Sequence, residues 1–161
     1  MSAKICVLGA GGAIGSRLAI HLTEQGHEVT AVVRRLETAV RIGRFPIKIE
    51  QADLMTLSAK ALSEILTGHD LVIDCTYVSL PDPAACIEAS QRMAKTLVDA
   101  CVASGIGSLI HYGTISVYPN GRAEIDEETE CDFQDIAYGD GKLAAERVVL
   151  QQAAPLNVIV L

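Results

Sequence analysis

The sequence GAGGAIGSRL, residues 9–18, places four glycines in seven positions, between the apolar run KICVL (4–8) and a stretch with helical spacing. Gly9, Gly12 and Gly15 recur every third residue, and Gly11 is added between them. A phosphate approaches backbone N–H groups closely only where no Cβ intervenes, and a helix N-terminus adds partial positive charge. Because the glycines follow a strand and open a helix, they indicate a dinucleotide-binding turn.

Short β-branched runs alternate with stretches of helical spacing along the rest of the chain. The predicted strands cover residues 4–8, 28–34, 47–52, 71–76, 108–114 and 157–161. The predicted helices cover residues 13–26, 57–66, 83–104 and 138–153. Apolar strands that alternate with helices are typical of a parallel sheet buried on both faces. We therefore predict an α/β fold of the Rossmann type, a doubly wound parallel sheet of about six strands with helices on both faces.

Composition limits the classes of function. A chain of 161 residues, 50% of them hydrophobic, suits a single domain over residues 1–161, and its net charge of −7 argues against nucleic-acid or membrane partners. No apolar run approaches the ~20 residues of a membrane span. Five cysteines form an odd set without a CxxC pair, which favours a reducing compartment. These features predict a cytoplasmic protein with a small-molecule partner.

The end of the second predicted strand bears on the choice of cofactor. An acid at this point would bond the adenosine ribose, whereas a cation would neutralise a 2′-phosphate. The strand ends VVRR, with Arg34 and Arg35 and no acid, and a guanidinium pairs well with phosphate. NADP is therefore favoured over NAD, with an ordinary exposed arginine pair as the alternative.

Three residues could carry acid–base chemistry. Tyr138 and Lys142 stand four apart and share one face of the predicted helix. A phenol becomes a general acid or base near neutral pH when nearby cations favour its anion. Thr114 follows the fifth strand, at the sheet edge where ligands bind, and could share a substrate carbonyl with Tyr138. Asp74, at the end of the fourth strand, is either a structural acid or an approach to the cofactor.

Four segments together, GAGGAIG (9–15), ADL (52–54), GTISVYP (113–119) and YGDGKLAAE (138–146), resemble the extended short-chain dehydrogenase/reductase group, the NAD(P)-dependent epimerase/dehydratase family. The resemblance implies that Tyr138 is the catalytic acid or base, that Thr114 is the catalytic Ser/Thr, and that Lys142 binds the nicotinamide ribose. Separately, the four histidines show no metal-ligand spacing, so we expect no metal site. The cofactor-binding residues that the resemblance implies are Gly9, Gly12, Ala13, Ile14, Gly15, Arg34, Arg35, Asp53, Leu54, Cys75, Thr76, Tyr138 and Lys142.

The resemblance also implies a reaction class. We expect hydride exchange between NADP, with NAD as second choice, and a carbinol or carbonyl substrate such as a nucleotide sugar or ketone. In this family a smaller substrate domain follows the sixth strand, and we expect that domain to be absent from this chain. The apolar surface left where it would dock could form a homodimer. A non-catalytic NADP-binding sensor or regulatory module remains the alternative.

Overall fold

The structure, a computed structural model, describes residues 2–119, 121, 124–151 and 156–161. Its six strands are β1 (Lys4–Leu8), β2 (Glu28–Val33), β3 (Lys48–Gln51), β4 (Leu71–Asp74), β5 (Ser108–His111) and β6 (Asn157–Val160). They form one parallel sheet in the order β3-β2-β1-β4-β5-β6. The α-helices are α1 (Ala13–Glu24), α2 (Ala59–Leu66), α3 (Pro83–Ala103) and α4 (Ala137–Gln151).

The helices cover both faces of the sheet, as the central strand β1 illustrates. Its Cys6 and Leu8 belong to a core cluster formed with residues of α2, α3 and α4. The alternating Ile5 and Val7 belong to a second cluster on the opposite face, which includes Ala19 of α1. Side chains alternate between the faces of a strand, so an apolar run such as KICVL requires burial on both sides. The predicted doubly wound α/β fold is confirmed.

Several elements end earlier than the sequence predicts. Strands β2, β4 and β5 end at Val33, Asp74 and His111, the last residues with strand partners. Two short 3-10 helices were not predicted: Leu36–Arg41 after β2 and Ile115–Val117 after β5. The chain leaves the sheet at these points and folds back over its edge, which is where the candidate site forms. Residues 152 and 153 of the predicted fourth helix lie outside the described residues.

The acidic stretch 124–135 forms no helix or strand. Arg147 of α4 fixes this loop: its guanidinium lies 4.9 Å from the centre of the Phe133 ring and donates to the Cys131 carbonyl at 2.6 Å. No helix in the described ranges has the length and apolar character needed to cross a membrane.

Candidate functional site

The glycine turn between β1 and α1 is packed too closely for side chains. A Cβ on Gly9 would lie 2.9 Å from the Cys75 carbonyl oxygen, and Gly9 has a φ of +76°. A Cβ on Gly15 would lie 2.5 Å from the Gly9 carbonyl oxygen. The turn therefore depends on bare backbone at both positions.

Helix α1 begins directly after this turn and presents an uncapped N-terminus. Gly12 precedes Ala13 and supplies no side-chain cap. The first hydrogen bond of the helix runs from the Ser16 N–H to the Gly12 carbonyl, at 3.0 Å. The N–H groups of residues 13–15 are left without intrahelical acceptors, as at any helix start. This combination of bare backbone and unpaired N–H groups fits a pyrophosphate.

A cleft of about 250 Å³ opens beside the turn, at the carboxyl ends of β1 to β4. The predicted cofactor residues that line it are Gly9, Gly12, Arg34, Arg35, Asp53, Leu54, Cys75 and Thr76. Ala13, Ile14 and Gly15 form the first turn of α1 and are not among its lining residues. The lining residues that the sequence did not predict include Gly11, Thr38, Met55, Tyr77, Ser79 and Met93.

Thr38, in the first 3-10 helix, joins the arginine pair to the glycine turn. Its hydroxyl donates to the Arg35 carbonyl at 2.6 Å. The same hydroxyl lies 2.2 Å from where a Cβ on Gly11 would be, so Gly11 is glycine because Thr38 packs against it. This hydrogen bond fixes the backbone of Arg35, and the exposed Arg34 and Arg35 line the cleft.

Asp53 lines the cleft at the end of β3, the strand next to β2. Its Oδ1 accepts from the Met55 N–H at 3.0 Å, and its carbonyl accepts from the N–H groups of Thr56 and Leu57. The carboxylate is therefore held in a turn immediately after β3, with Leu54 beside it on the cleft wall.

Tyr138 lies in the first turn of α4, outside the cleft lining but in contact with it through Tyr77. The two rings meet edge to face, with centroids 5.6 Å apart. Tyr138 is 44% exposed, so its phenol is accessible from solvent. Among the described residues, no hydrogen bond joins the phenol to Lys142. The spacing of four residues thus places both side chains on α4 without pairing them directly.

Lys142 is buried beneath this point. Its Nζ donates to the Thr76 carbonyl at 3.2 Å and to the Tyr112 carbonyl, so the ammonium bridges the chain segments that follow β4 and β5. Burial lowers the pKa of Lys142 below its usual value, while the nearby Asp74 carboxylate opposes that shift. Lys142 is 5% exposed and lies at the edge of the sheet where the cleft opens.

Thr114 is the N-cap of the second 3-10 helix, where its hydroxyl accepts from the Ser116 N–H at 3.3 Å. That short helix packs against the start of α4, since a Cβ on Gly139 would lie 2.6 Å from the Ser116 carbonyl oxygen. Thr114 and Tyr138 therefore lie next to the contact between the second 3-10 helix and α4. The proton of the Thr114 hydroxyl remains available to donate.

Asp140 fixes the chain that leads into α4. Its two carboxylate oxygens accept from the N–H groups of Gln134, at 2.8 Å, and Ile136, at 3.1 Å. The Gln134 side chain donates in turn to the carbonyls of Val117 and Tyr118. The first turn of α4, which carries Tyr138, is thus tied to the segment after β5. The role of Asp140 was not predicted from the sequence, although a carboxylate near a helix start is a typical cap.

The two glycines between Tyr138 and Lys142 have a packing reason. Each would cost about 1 kcal/mol relative to alanine in a helix interior. Gly139 allows the second 3-10 helix to approach α4, and a Cβ on Gly141 would lie 2.8 Å from Cys86 Sγ and 3.0 Å from Ser90 Oγ on α3. Both positions need glycine because other elements press against the first turns of α4.

This close packing gives a stability prediction for Gly141→Ala. Overpacking against α3 costs about 2 kcal/mol, and the gain in helix propensity returns about 1 kcal/mol, so we expect a net loss of about 1 kcal/mol in the free energy of unfolding. Urea denaturation measures it. In a double-mutant cycle, Cys86→Ala should recover part of the loss, because it removes the closer atom. Additive effects would contradict this explanation.

Asp74 and His111 form a buried pair that the sequence analysis did not connect. They are register partners at the ends of β4 and β5, and His111 Nδ1 lies 2.8 Å from Asp74 Oδ2. Burial acts to raise the pKa of Asp74, but the hydrogen bonds from His111 and Thr76 outweigh it, so that pKa lies below its usual value. In the sequence, Asp74 and His111 are visible as polar residues at the ends of two apolar strands. Their pairing depends on the strand order, which makes β4 and β5 neighbours.

Metal ligands do not gather anywhere in the part of the chain that the structure describes: no group of three or more His, Cys, Asp or Glu side chains is placed to hold an ion.

A family profile decides how the chain is classified. The profile of the NAD dependent epimerase/dehydratase family matches residues 5–161. The chain belongs to that family. Membership in the epimerase/dehydratase family confirms the resemblance inferred from the four sequence segments and makes the chain a member of a family of NAD-dependent enzymes.

Two curated relatives are similar to this epimerase/dehydratase chain over part of their length. The chain is 28% identical over 113 residues to the photosystem II assembly factor Ycf39 of Cyanophora paradoxa, which covers 70% of this chain and 35% of that protein. It is 30% identical over 134 residues to the protein YLL056C of Saccharomyces cerevisiae, covering 79% of this chain and 44% of the relative. The chain thus spans less than half the length of these relatives.

Solved structures show the same fold. MoeE5 in complex with UDP-glucose and NAD superposes with a TM-score of 0.77 at 27% identity, over 98% of this chain and 52% of MoeE5. The UDP-glucose-4-epimerase of Stenotrophomonas maltophila, with bound NAD and formylated UDP-arabinopyranose, gives 0.84 at 20% identity, over 98% of this chain and 52% of the epimerase. The chain therefore corresponds to about half of each enzyme.

Proposed function

We propose that the chain binds NADP in preference to NAD and belongs to an enzyme that exchanges a hydride with a carbinol or carbonyl carbon. The observation that carries the proposal is the cleft beside the glycine turn, lined by Arg34 and Arg35 at the end of β2. The bare backbone at Gly9 and the uncapped start of α1 suit the pyrophosphate. Asp53, which lines the cleft at the end of β3, suits the adenine amino group.

The two arginines support NADP over NAD. The end of β2 carries no acid to bond a ribose diol, and two guanidinium groups can neutralise a 2′-phosphate. MoeE5 and the Stenotrophomonas epimerase were solved with NAD instead. We give the arginines more weight because cofactor choice depends on local charge at this strand end, which can differ between proteins of one fold.

The residues at the start of α4 support the chemistry. In the direction of reduction, Tyr138 would donate its phenolic proton to the substrate carbonyl oxygen, and Thr114 would donate a hydrogen bond to the same oxygen. The Lys142 ammonium, near the carboxyl ends of β4 and β5, would stabilise the tyrosinate that remains. When bound, the nicotinamide supplies or accepts the hydride.

Nucleotide sugars and simple ketones are the substrate classes that we propose. MoeE5, 27% identical to this chain, was solved with UDP-glucose, which supports the first class. The chain spans about half of MoeE5, and both substrate classes belong in the test. A screen should therefore include UDP-glucose and UDP-galactose as well as small aldehydes and ketones.

Cofactor preference can be tested with Arg34→Ala. A charged hydrogen bond is worth about 1.5–3 kcal/mol, so we expect NADPH affinity to fall at least about tenfold, with NADH affinity little changed. Fluorescence titration of both reduced cofactors measures it. Arg17→Ala, an exposed arginine on α1 outside the cleft lining, is the matched control and should bind NADPH like the wild type.

Equal affinities of the wild-type chain for NADPH and NADH would contradict the NADP preference. Failure to bind either cofactor would contradict dinucleotide binding by this chain altogether.

A further inference from the structure

Two buried titratable side chains lie beneath the proposed site and have no role in the proposed chemistry. Asp74 and His111 are each 2% exposed. His111 Nδ1 donates to Asp74 Oδ2 at 2.8 Å, while Asp74 Oδ1 accepts from the Thr76 N–H at 2.9 Å and from the Thr76 hydroxyl at 2.6 Å. A carboxyl group that receives three donors is held as the ionised acceptor.

The position of Lys142 depends on the same residue. Its Nζ donates to the carbonyls of Thr76 and Tyr112. Thr76 is anchored by the Asp74 carboxylate, and the Tyr112 N–H donates to the Asp74 carbonyl at 3.0 Å. Both acceptors of the ammonium are therefore fixed to Asp74, one through its side chain and one through its backbone.

The charges around Lys142 favour its protonated form mainly through Asp74. Burial lowers the pKa of Lys142, and Asp74, Cys75 and Glu146 oppose that shift, Asp74 most strongly. His111, on β5, faces the same space and touches Asp74 directly. A buried ammonium without a compensating carboxylate would lose its proton more easily.

The second nitrogen of His111 belongs to a side chain that lines the same small cavity as Lys142. Nε2 has no hydrogen-bond partner among the described residues. His111 lines a small cavity of about 10 Å³ together with Ser90, Asp74 and Lys142. A space of this size holds at most one water molecule, which would satisfy Nε2. The pair and the lysine thus line one small cavity beside apolar side chains of α3 such as Met93 and Leu97.

We propose that Asp74 and His111 are a positioning pair for Lys142. The pair fixes the two carbonyl groups that hold the ammonium, and its negative charge keeps the ammonium protonated for the cofactor ribose and for Tyr138. His111 acts through Asp74, since its Nδ1–H orients the carboxylate and neither residue reaches the reacting atoms. The part of this inference that concerns the cofactor rests on the proposed function.

The test follows the ionisation of Lys142 in the 161-residue chain. The chain contains five lysines, so 13C labelling at Cε gives five resolvable signals, and Lys142→Arg assigns the one that matters. We expect Asp74→Asn to make Lys142 titrate at lower pH than in the wild type. NADPH affinity at pH 8 should fall about tenfold, within the range typical of residues that act through a neighbour.

Variants of His111 keep the test decisive even where Asp74→Asn fails to fold. His111→Leu removes the donor to Asp74 and should lower both the Lys142 titration midpoint and NADPH affinity. His111→Asn places an amide donor near Nδ1 and should restore both toward the wild type. A purely structural role would lower thermal stability in both variants without this difference in lysine titration.

Asp99→Asn is the matched control, because Asp99 is an exposed carboxylate on α3 that pairs with Lys95 at 3.0 Å. It should leave both readouts unchanged. A folded His111→Leu chain with the Lys142 titration and NADPH affinity of the wild type would overturn the proposal. If the wild type does not bind NADPH, the proposed function fails, whereas the lysine titration still decides whether the pair positions Lys142.

Discussion

Gly15→Ala is expected to abolish dinucleotide binding, with an affinity for NADPH more than about 100-fold below that of the wild type. The added Cβ would lie 2.5 Å from the Gly9 carbonyl oxygen and 3.0 Å from Ala10 Cα, which are backbone atoms that cannot rotate away. The start of α1 must therefore move away from β1, and its N–H groups move with it. The same strain should lower the free energy of unfolding by about 2 kcal/mol.

Fluorescence titration and urea denaturation measure these two effects. Gly107→Ala is the matched control: Gly107 is exposed before β5, and a Cβ there would lie 3.9 Å from the Asp70 carbonyl oxygen, an ordinary contact. It should bind NADPH normally. Tight NADPH binding by Gly15→Ala would show that the glycine turn is structural and does not hold the cofactor.

Tyr138→Phe is expected to lower turnover about 1,000-fold while leaving NADPH affinity within about twofold, since general acid–base groups contribute roughly 100- to 10,000-fold. The phenol is 44% exposed and packs edge to face on Tyr77, a contact that phenylalanine preserves. The loss should therefore appear in kcat. Steady-state kinetics on the best carbonyl or UDP-sugar substrate from the screen measures it.

Tyr118→Phe provides the control, because Tyr118 follows the second 3-10 helix and its carbonyl, which the substitution retains, accepts from Gln134. Its turnover should match the wild type. Unchanged turnover in Tyr138→Phe would remove the phenol from the mechanism. Tight NADPH binding with no turnover of any tested substrate by the wild type would favour the sensor or regulatory module.

The glycine turn and the strand–helix alternation were readable from the sequence because both are local. KICVL, the glycines at 9, 12 and 15 and the spacing of α1 lie within one short segment, so their pattern reports burial and turn geometry directly. Arg34 and Arg35 were recognisable for the same reason, since they directly follow β2. Eight predicted cofactor residues line the cleft because the carboxyl ends of parallel strands meet at one sheet edge.

The roles of Gly11, Gly139 and Gly141 could not be read from sequence spacing. Gly11 is bare because Thr38 packs on it, and the glycines of α4 are bare because Ser116, Cys86 and Ser90 press against that helix. These partners are far along the chain or on other elements. Helix propensity alone argues against two glycines at the start of α4, and tertiary packing overrides it.

The sequence by itself determined the doubly wound sheet, the position of the glycine turn and the charge at the end of β2. Only the tertiary structure decided that Asp74 meets His111, 37 residues away, and that both acceptors of Lys142 are fixed to Asp74. Periodicity specifies which face of an element is buried. It does not specify which strands become neighbours or how closely helices approach, and those choices place polar groups from distant segments within hydrogen-bonding distance.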